Sequence, residues 1–140
     1  MAFDSSFNIK IVTPNKVIDG IKAEKLTVLT KEGMISLLSH HVEYMTVLEI
    51  STIEILFNGE TTHYTIGGGL LRFLENENTA ILIVKSFCPV EEIDIYELEK
   101  EKENLSQKIK NSNSEIEHKA SELELKRAIN RINAKKSFNK

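Results

Sequence analysis

Histidine and cysteine are the residues of this chain whose side chains could do chemistry. They are His40, His41, His63, His118 and Cys88. No two of them stand at a spacing typical of zinc ligands, so we predict no metal site. The chain also lacks a Gly-x-Ser-x-Gly nucleophile elbow and a Gly-Lys-Ser/Thr phosphate loop. Only a cleft built from His40, His41 and nearby carboxylates would support an enzyme, and catalysis is not expected.

The run Gly67-Gly68-Gly69 is the one glycine-rich segment that could hold a phosphate. A phosphate cradle ends at the first turn of a helix, whose free N–H groups bind the anion. Here the glycines precede a strand-like segment, residues 70–73, and not a helix. We therefore expect them to form a strand corner or to allow a close approach between two backbones.

Composition restricts the class of protein. The chain has 140 residues, 41% of them apolar, and a net charge of −3. It shows no basic surface interleaved with aromatic residues, so nucleic acid is not an expected partner. No apolar run is long enough to span a bilayer, and residues 1–4 begin no secretory signal. A lone cysteine fits a reducing compartment, which makes the cytosol the default location.

The first half of the chain shows the period of two that is typical of half-buried strands. The predicted strands are residues 7–11, 25–30, 34–38, 53–57, 61–66, 70–74 and 79–84. Asn58-Gly59 predicts a two-residue hairpin turn, because both positions of such a turn require a positive φ. The polar residues 75–78 predict a second turn. Many short strands at close spacing favour a small antiparallel sandwich.

All glycines and prolines end at Pro89, and the remaining residues favour helix. Asp94 and Glu97 form a capping box at the start of the first predicted helix. Its apolar stripe consists of Ile95, Leu98, Leu105 and Ile109, interrupted by Lys102. Residues 111–114 interrupt the helical pattern, and Ser112 or Ser114 would cap a second helix.

The second predicted helix carries two apolar faces. Ile116, Ala120 and Leu123 share one side, and Leu125, Ala128, Ile129 and Ile132 lie roughly opposite. Either the two halves of the helix contact different parts of this chain, or one face contacts another subunit. The segment from Glu91 to Glu103 has seven acidic residues and two lysines, whereas the last fifteen residues have six basic residues and no acid. Folded back as a hairpin, the two helices would attract each other.

The sequence thus predicts an α+β protein with an N-terminal small antiparallel β-sandwich followed by a C-terminal α-helical hairpin. The predicted domains are residues 1–88 and residues 89–140.

This order of features resembles the epsilon subunits of F-type ATP synthases, from about Phe7 to Asn133. Residues 7–14 resemble the first strand and turn of that family, and Gly68-Gly69-Leu70-Leu71 resembles its Gly-Gly-aromatic-Leu segment. Residues 32–41 stand in the place of its Glu-Gly-x-x-Gly-Ile-x-Pro-Gly-His segment, with Ser39-His40 in the place of Pro-Gly. Residues 126–132 resemble the basic stretch of its last helix.

The resemblance implies a non-catalytic central-stalk subunit that couples rotation of the c-ring to ATP synthesis. Its partners would be the gamma subunit, the c-ring and the alpha/beta catalytic head. The implied c-ring or gamma contacts are Glu32, Gly33, His41, Gly68 and Gly69. The implied inhibitory residues of the helical arm, which would hinder ATP hydrolysis, are Arg127, Arg131, Lys135 and Lys136. The chain would lie on the cytoplasmic face of the cell membrane or the stromal face of a thylakoid, held only through the c-ring.

Some members of the family bind ATP between the two helices, and the resemblance places Ile93, Asp94, Arg127 and Arg131 at that site. Glu97 stands where an arginine of the motif is expected, and an acid there repels phosphate. We therefore expect no cofactor, with ATP as the only regulatory ligand to be tested. The alternative function is a free-standing β-sandwich adaptor whose helical arm binds an unrelated protein.

Overall fold

The computed structural model describes residues 5–111 and 115–138. The chain divides into two compact units between Phe87 and Cys88. The first unit contains seven strands, and a short strand β8 (Phe87–Pro89) crosses the division. The strands of the first unit are β1 (Phe7–Val12), β2 (Val17–Ala23), β3 (Lys25–Thr30), β4 (Gly33–Leu38), β5 (Tyr44–Phe57), β6 (Glu60–Leu74) and β7 (Thr79–Val84).

The strands of the first unit form one continuous sheet that closes over a single core. Their order is β2-β1-β7-β6-β5-β3-β4. Side chains from strands near opposite ends of this order, such as Ile9 of β1 and Leu37 of β4, belong to the same buried cluster. The two halves of the sheet must therefore face each other, as in a sandwich. The alternating residues of β1, β3 and β7 bury one face of each strand, which explains the observed period of two.

The predicted hairpin turn joins β5 and β6. Asn58 and Gly59 have φ values of 52° and 75°, the left-handed conformation that a two-residue turn requires. The second predicted turn joins β6 and β7, where the Asn78 backbone N–H donates to the Glu75 carbonyl at 3.2 Å. Both turn predictions are confirmed.

Three features of the sheet differ in detail from the sequence prediction. β2 was not among the predicted strands, because its residues do not alternate cleanly between buried and exposed. β5 starts at Tyr44, and β6 runs without interruption through the three glycines. The pairing of β1 with β7 is parallel, whereas the other described pairings among β1–β7 are antiparallel. The α+β class and the sandwich followed by helices are confirmed.

The glycine run allows two backbones to approach closely. A Cβ atom on Gly69, whose φ is 156°, would lie 2.0 Å from the carbonyl oxygen of Ile83 and 2.8 Å from the Cα of Val84. Only glycine fits such a position. The close approach predicted from the sequence is therefore confirmed, and it joins β6 to β7.

The second unit contains a 3-10 turn (Val90–Glu92) and two helices, α1 (Ile95–Asn111) and α2 (Glu115–Phe138). Asp94 caps α1, because its Oδ1 accepts hydrogen bonds from the backbone N–H groups of Tyr96 at 3.0 Å and Glu97 at 3.4 Å. The predicted cap of α2 at Ser112 or Ser114 lies outside the described residues. The core of this unit consists of Val90, Ile93, Leu98, Ile132 and Ala134, with Cys88 packed against it.

The two predicted faces of α2 have different environments. Ala128 and Ile132 are buried, and Leu125 and Ile129 are half-buried. Ala120 is exposed, as is 47% of Leu123, on the other predicted face. The Ile116 side chain lies outside the described set. Among the described side chains, one face of α2 is thus covered and the other is open.

We predict that Gly69→Ala lowers the free energy of unfolding by roughly 2–5 kcal/mol, the combined cost of strain and overpacking. The matched control is Gly59→Ala, since Gly59 also has a positive φ but nothing within 4 Å of its added Cβ. That variant should lose only about 1–2 kcal/mol from the left-handed backbone. Urea unfolding followed by circular dichroism measures both. Equal losses of unfolding free energy in the two variants would show that the close contact with Ile83 adds no cost beyond the left-handed backbone.

Candidate functional site

Two of the four histidines each lie beside a glutamate of their own unit. The His63 Nε2 lies 3.3 Å from Glu54 on the neighbouring strand, and the His118 Nδ1 lies 3.1 Å from Glu122 one helical turn away. Among the described residues, no group of three or more His, Cys, Asp and Glu side chains could hold a metal ion. Nor is any helix in those residues long and apolar enough to cross a membrane.

The segment that resembles the family's Glu-Gly motif begins in a tight turn. The hydroxyl of Thr30 accepts a hydrogen bond from the Glu32 backbone N–H at 3.1 Å and donates to the Gly33 carbonyl at 2.8 Å. Gly33 has a φ of 121°, which favours glycine. The turn leaves the Glu32 side chain exposed at one end of the sandwich.

His41 lies at the other end of β4. Its ring packs edge-on against Tyr44, with centroids 5.7 Å apart, and against Phe73 at 5.6 Å. The six residues of β4 separate His41 from Glu32, a distance of about 20 Å along an extended strand. The structure therefore does not bring these two predicted contact residues together. They mark opposite ends of the same edge strand.

Gly68 and Gly69 lie inside the sheet. A Cβ on Gly68 would contact Ile50 and the Leu48 carbonyl, and one on Gly69 would overlap the backbone of β7. Their geometry gives them a role in shaping the sandwich. The Gly69 backbone lies against β7, so it is not a surface that a partner could contact on that side.

A continuous row of apolar side chains crosses the outer face of the sheet, and sequence reasoning missed it. Val47 of β5 pairs with Leu70 of β6, Leu70 with Ile83 of β7, Ile83 with Val12 of β1, and Val12 with Val17 of β2. We call these residues the apolar row. Apart from the half-buried Val12, they are between 44% and 59% exposed.

The neighbouring row on the same face mixes apolar and cationic residues. Met45 pairs with Arg72, Arg72 with Ile81, and Ile81 with Lys10. Met45 is 69% exposed. An apolar centre beside cationic side chains is the usual composition of a protein–protein contact. Large apolar patches are rarely left in water, so this face is the strongest candidate interface of the first unit.

The sequence did carry a signal for this face. β7 has apolar residues at consecutive positions from Ala80 to Val84, so it cannot bury them all in one core. In a strand of a single sandwich such a run indicates that both faces are covered. Its outward members, Ile81 and Ile83, belong to the two rows described above.

One carboxylate of this unit has a shifted pKa. The Asp19 side chain accepts hydrogen bonds from the Asn8 amide at 2.9 Å and from the Gly20 backbone N–H at 2.8 Å. These bonds favour the charged form and lower the pKa of Asp19. The stabilisation is present above the usual carboxylate pKa and is lost as the pH falls through the lowered value. Asp19 is exposed, so its two hydrogen bonds support the local β1–β2 geometry and do not indicate a catalytic group.

The four basic residues of the predicted inhibitory arm are placed within the helical unit. The Arg127 guanidinium lies 2.8 Å from Glu124, and only 13% of its side chain is exposed. The Lys135 ammonium donates to the Glu91 carbonyl at 3.1 Å, and that of Lys136 lies 3.6 Å from Glu99. The predicted attraction between an acidic first helix and a basic second helix is thus realised in the Lys136–Glu99 pair.

Arg131 lines a cleft in the same unit together with acidic side chains. The lining residues are Cys88, Glu92, Ile93, Asp94, Glu97, Leu98, Glu101 and Arg131. The structure therefore brings Ile93, Asp94 and Arg131 together, as the resemblance implies. Arg127 does not line this cleft. Four carboxylates face a single guanidinium there, so the cleft favours cations over phosphate groups.

Comparison with known proteins gives a consistent family. The family model for the β-sandwich domain of the ATP synthase delta/epsilon chain matches residues 6–86. The ATP synthase epsilon chain of Pediococcus pentosaceus is 32% identical over 142 residues, covering 97% of this chain and 99% of that protein. That of Caldanaerobacter subterraneus is 30% identical over 131 residues, covering 92% of this chain and 93% of that protein.

Solved structures share the fold. A chain of the Euglena gracilis mitochondrial ATP synthase, solved with its F1 part and c-ring, superposes with a TM-score of 0.72 at 20% identity. That match covers 93% of this chain and 81% of the other. A central-stalk/c-ring structure from Tetrahymena thermophila gives a TM-score of 0.55 at 13% identity, covering 92% and 96%.

Proposed function

The chain belongs to the family of ATP synthase epsilon chains, and on that premise we propose how its surfaces divide the work of a central-stalk subunit. It is an accessory, non-catalytic subunit of an F-type ATP synthase, a membrane-bound complex. The bacterial relatives match the helical unit as well as the sandwich, so the alternative of an unrelated adaptor is set aside. We place the chain on the cytoplasmic face of the cell membrane, held there through the c-ring, as the family resemblance implies.

The apolar row is the surface that docks on the gamma subunit. The row crosses five strands, a width of about 19 Å, and needs an extended apolar partner to cover it. His41 lies three residues before β5, the strand that carries Met45 and Val47, so this end of the sandwich is connected to the apolar row through one strand. The observation that carries the proposal is that the apolar row is exposed without a break across the outer face of the sheet. The family resemblance implies two rotor partners for this domain, the gamma subunit and the c-ring.

The opposite end of the sandwich is left for the c-ring. The turn that carries Glu32 and Gly33 lies about one strand length from His41. This separation leaves room for a second partner at Glu32 and Gly33 beside the one that covers the apolar row. An exposed carboxylate on a rigid turn suits a contact with the polar loops of a ring.

We predict that the double variant Val47→Lys/Leu70→Lys weakens binding of the isolated gamma subunit at least about 100-fold, because it buries two unpaired charges in an apolar contact. The matched control is Phe57→Lys, which adds a lysine at an exposed apolar site outside the row. Surface-immobilised gamma and purified full-length variants give the two dissociation constants. Unchanged binding of the double variant, or an equal loss in the control, would reject the row as the gamma contact.

The helical unit is the regulator of ATP hydrolysis in our proposal. In the described arrangement Arg127, Lys135 and Lys136 each contact a group of their own unit. Opening the hairpin would release Lys135 and Lys136 to acidic surface on the catalytic head, because their partners lie outside α2. Arg127 pairs with Glu124 of the same helix, so it would move with α2. The ion pair of Lys136 is largely exposed and of the kind worth about 0–1 kcal/mol, so little energy holds it closed. To change the ratio of open to closed arm from 1:99 to 99:1, a partner must bind the open arm more tightly by about 5.5 kcal/mol.

Deletion of residues 95–140 should relieve inhibition of ATP hydrolysis in the reconstituted enzyme while the remaining sandwich still binds gamma.

Replacing Arg127, Arg131, Lys135 and Lys136 by Gln should weaken inhibition more at low salt than at high salt, because salt screens exposed charges. Steady-state ATPase assays at two ionic strengths measure both effects. If the enzyme whose epsilon chain lacks residues 95–140 is inhibited as strongly as the intact enzyme, the helical arm does not inhibit ATP hydrolysis.

ATP does not regulate this hairpin, in our proposal, because its cleft is acidic. The physical reason is the set Glu92, Asp94, Glu97 and Glu101 around Arg131. The Asp94 carboxylate is also engaged in capping α1. Arg127, the second arginine implied by the resemblance, is paired with Glu124. Phosphate groups entering the cleft would meet a net negative field.

We expect ATP at about 1 mM to leave the melting temperature of the full-length chain unchanged. A ligand at 100 times its dissociation constant would stabilise the folded state by about 2.7 kcal/mol, which a thermal scan detects readily. The control variant is Arg131→Ala, which removes the guanidinium of the cleft. An ATP-dependent rise in melting temperature that Arg131→Ala abolishes would overturn this expectation.

A further inference from the structure

The end of the sandwich that carries His41 is organised around one asparagine. Three segments meet there: the loop between β4 and β5, the turn between β6 and β7, and Ser6 just before β1. Asn78, the last residue of the β6–β7 turn, contacts the other two segments through its side chain.

The loop between β4 and β5 contains a strained residue. His40 has a φ of 63°, in the left-handed region that residues with a Cβ rarely adopt. The family that the sequence resembles has Pro-Gly where this chain has Ser39-His40. A glycine would adopt this backbone freely, whereas histidine needs compensation from its surroundings.

Asn78 supplies that compensation. Its Oδ1 accepts a hydrogen bond from the His40 backbone N–H at 2.6 Å. Its Nδ2 donates to the Ser39 hydroxyl at 3.0 Å and to the Ser6 carbonyl at 3.1 Å. The Ser39 hydroxyl itself donates to the Ser6 carbonyl at 3.2 Å. The side-chain amide thus connects three segments that lie far apart in the sequence.

A second hydrogen bond holds the far end of the same loop. The Glu43 carboxylate accepts from the backbone N–H of Glu75, the first residue of the β6–β7 turn, at 2.9 Å. Between the two clamped points lie His41 and Val42. Val42 is 63% exposed, and it leads directly into the strand that carries Met45 and Val47.

We propose that Asn78 is a positioning residue of the gamma-docking surface, which holds His40 in its left-handed conformation and thereby fixes His41 and the exposed Val42 at the start of the strand that carries Met45 and Val47. This inference rests on the proposed function, because it takes the apolar row as the surface that gamma covers. Preorganised loops bind more tightly, since the ordering cost is met before the partner arrives.

The test compares Asn78→Gly, His40→Gly and the double variant in the full-length chain. Glycine at position 78 keeps the positive φ of 48° that Asn78 has and removes only the side-chain amide. Isolated gamma subunit is the probe, and its dissociation constant and the melting temperature of each variant are measured. We expect Asn78→Gly to weaken gamma binding about tenfold, and His40→Gly in that background to restore most of it. His40→Gly alone should bind at least as tightly as the unchanged protein.

Each outcome has a definite meaning. If the unchanged chain does not bind gamma, the proposed function fails, whatever Asn78 does. If the unchanged chain and Asn78→Gly bind equally, Asn78 does not position the loop. If Asn78→Gly binds weakly and His40→Gly gives no rescue, Asn78 acts through the general stability of the sandwich and the inference is rejected. If Asn78→Gly does not fold, recovery of folding and of gamma binding in the double variant supports the inference, and failure of the double variant to fold rejects it.

Discussion

The path of β6 beside β7 depends on a glycine that lies directly against the backbone of its neighbour. Gly69 leaves no room for a Cβ, and the strand that follows it pairs with β7 from Gly69 to Leu74. β7 in turn pairs with β1 and β1 with β2, so this contact joins β6 to the rest of the order β2-β1-β7-β6. The apolar row exists only because these strands are in register.

The two units of the chain differ in the size of their cores and in the contacts on their surfaces. The sandwich buries alternate residues of β1, β3 and β7 in its core and leaves the apolar row exposed on its outer face. An exposed apolar row of this kind is typical of a surface that a partner covers. The helical unit has a small core and holds part of its surface through exposed charges, such as Lys136 and Glu99. Weak, screened contacts agree with the proposed regulatory role, in which the unit changes its packing, because neither arrangement is then strongly favoured.

Departures from the family's usual residues have local physical consequences. The exchange of Pro-Gly for Ser39-His40 places a residue with a Cβ in a left-handed conformation, and Asn78 compensates with a hydrogen bond to its backbone. The acid at Glu97 joins three other carboxylates around Arg131 and makes the cleft between the helices negative. In the first case the difference from the family requires a new hydrogen bond, and in the second it changes the charge of a cleft.

Local interactions were readable in the sequence. The periods of two and of 3.6 residues separated the strands from the helices, and Asn58-Gly59, Asp94 and the glycine run predicted a turn, a cap and a close approach. Each of these depends on residues that are neighbours in the chain or on the stereochemistry of one residue.

Only the tertiary structure decided which outward side chains form a surface. A strand with apolar residues on both faces does not say what covers its second face. The apolar row appears only when the register of five strands is known. The separation of Glu32 from His41 and the bond between His40 and Asn78, 38 residues apart, likewise depend on where the folded chain brings its segments. Local propensities carry no information on such long-range contacts, because packing alone fixes them.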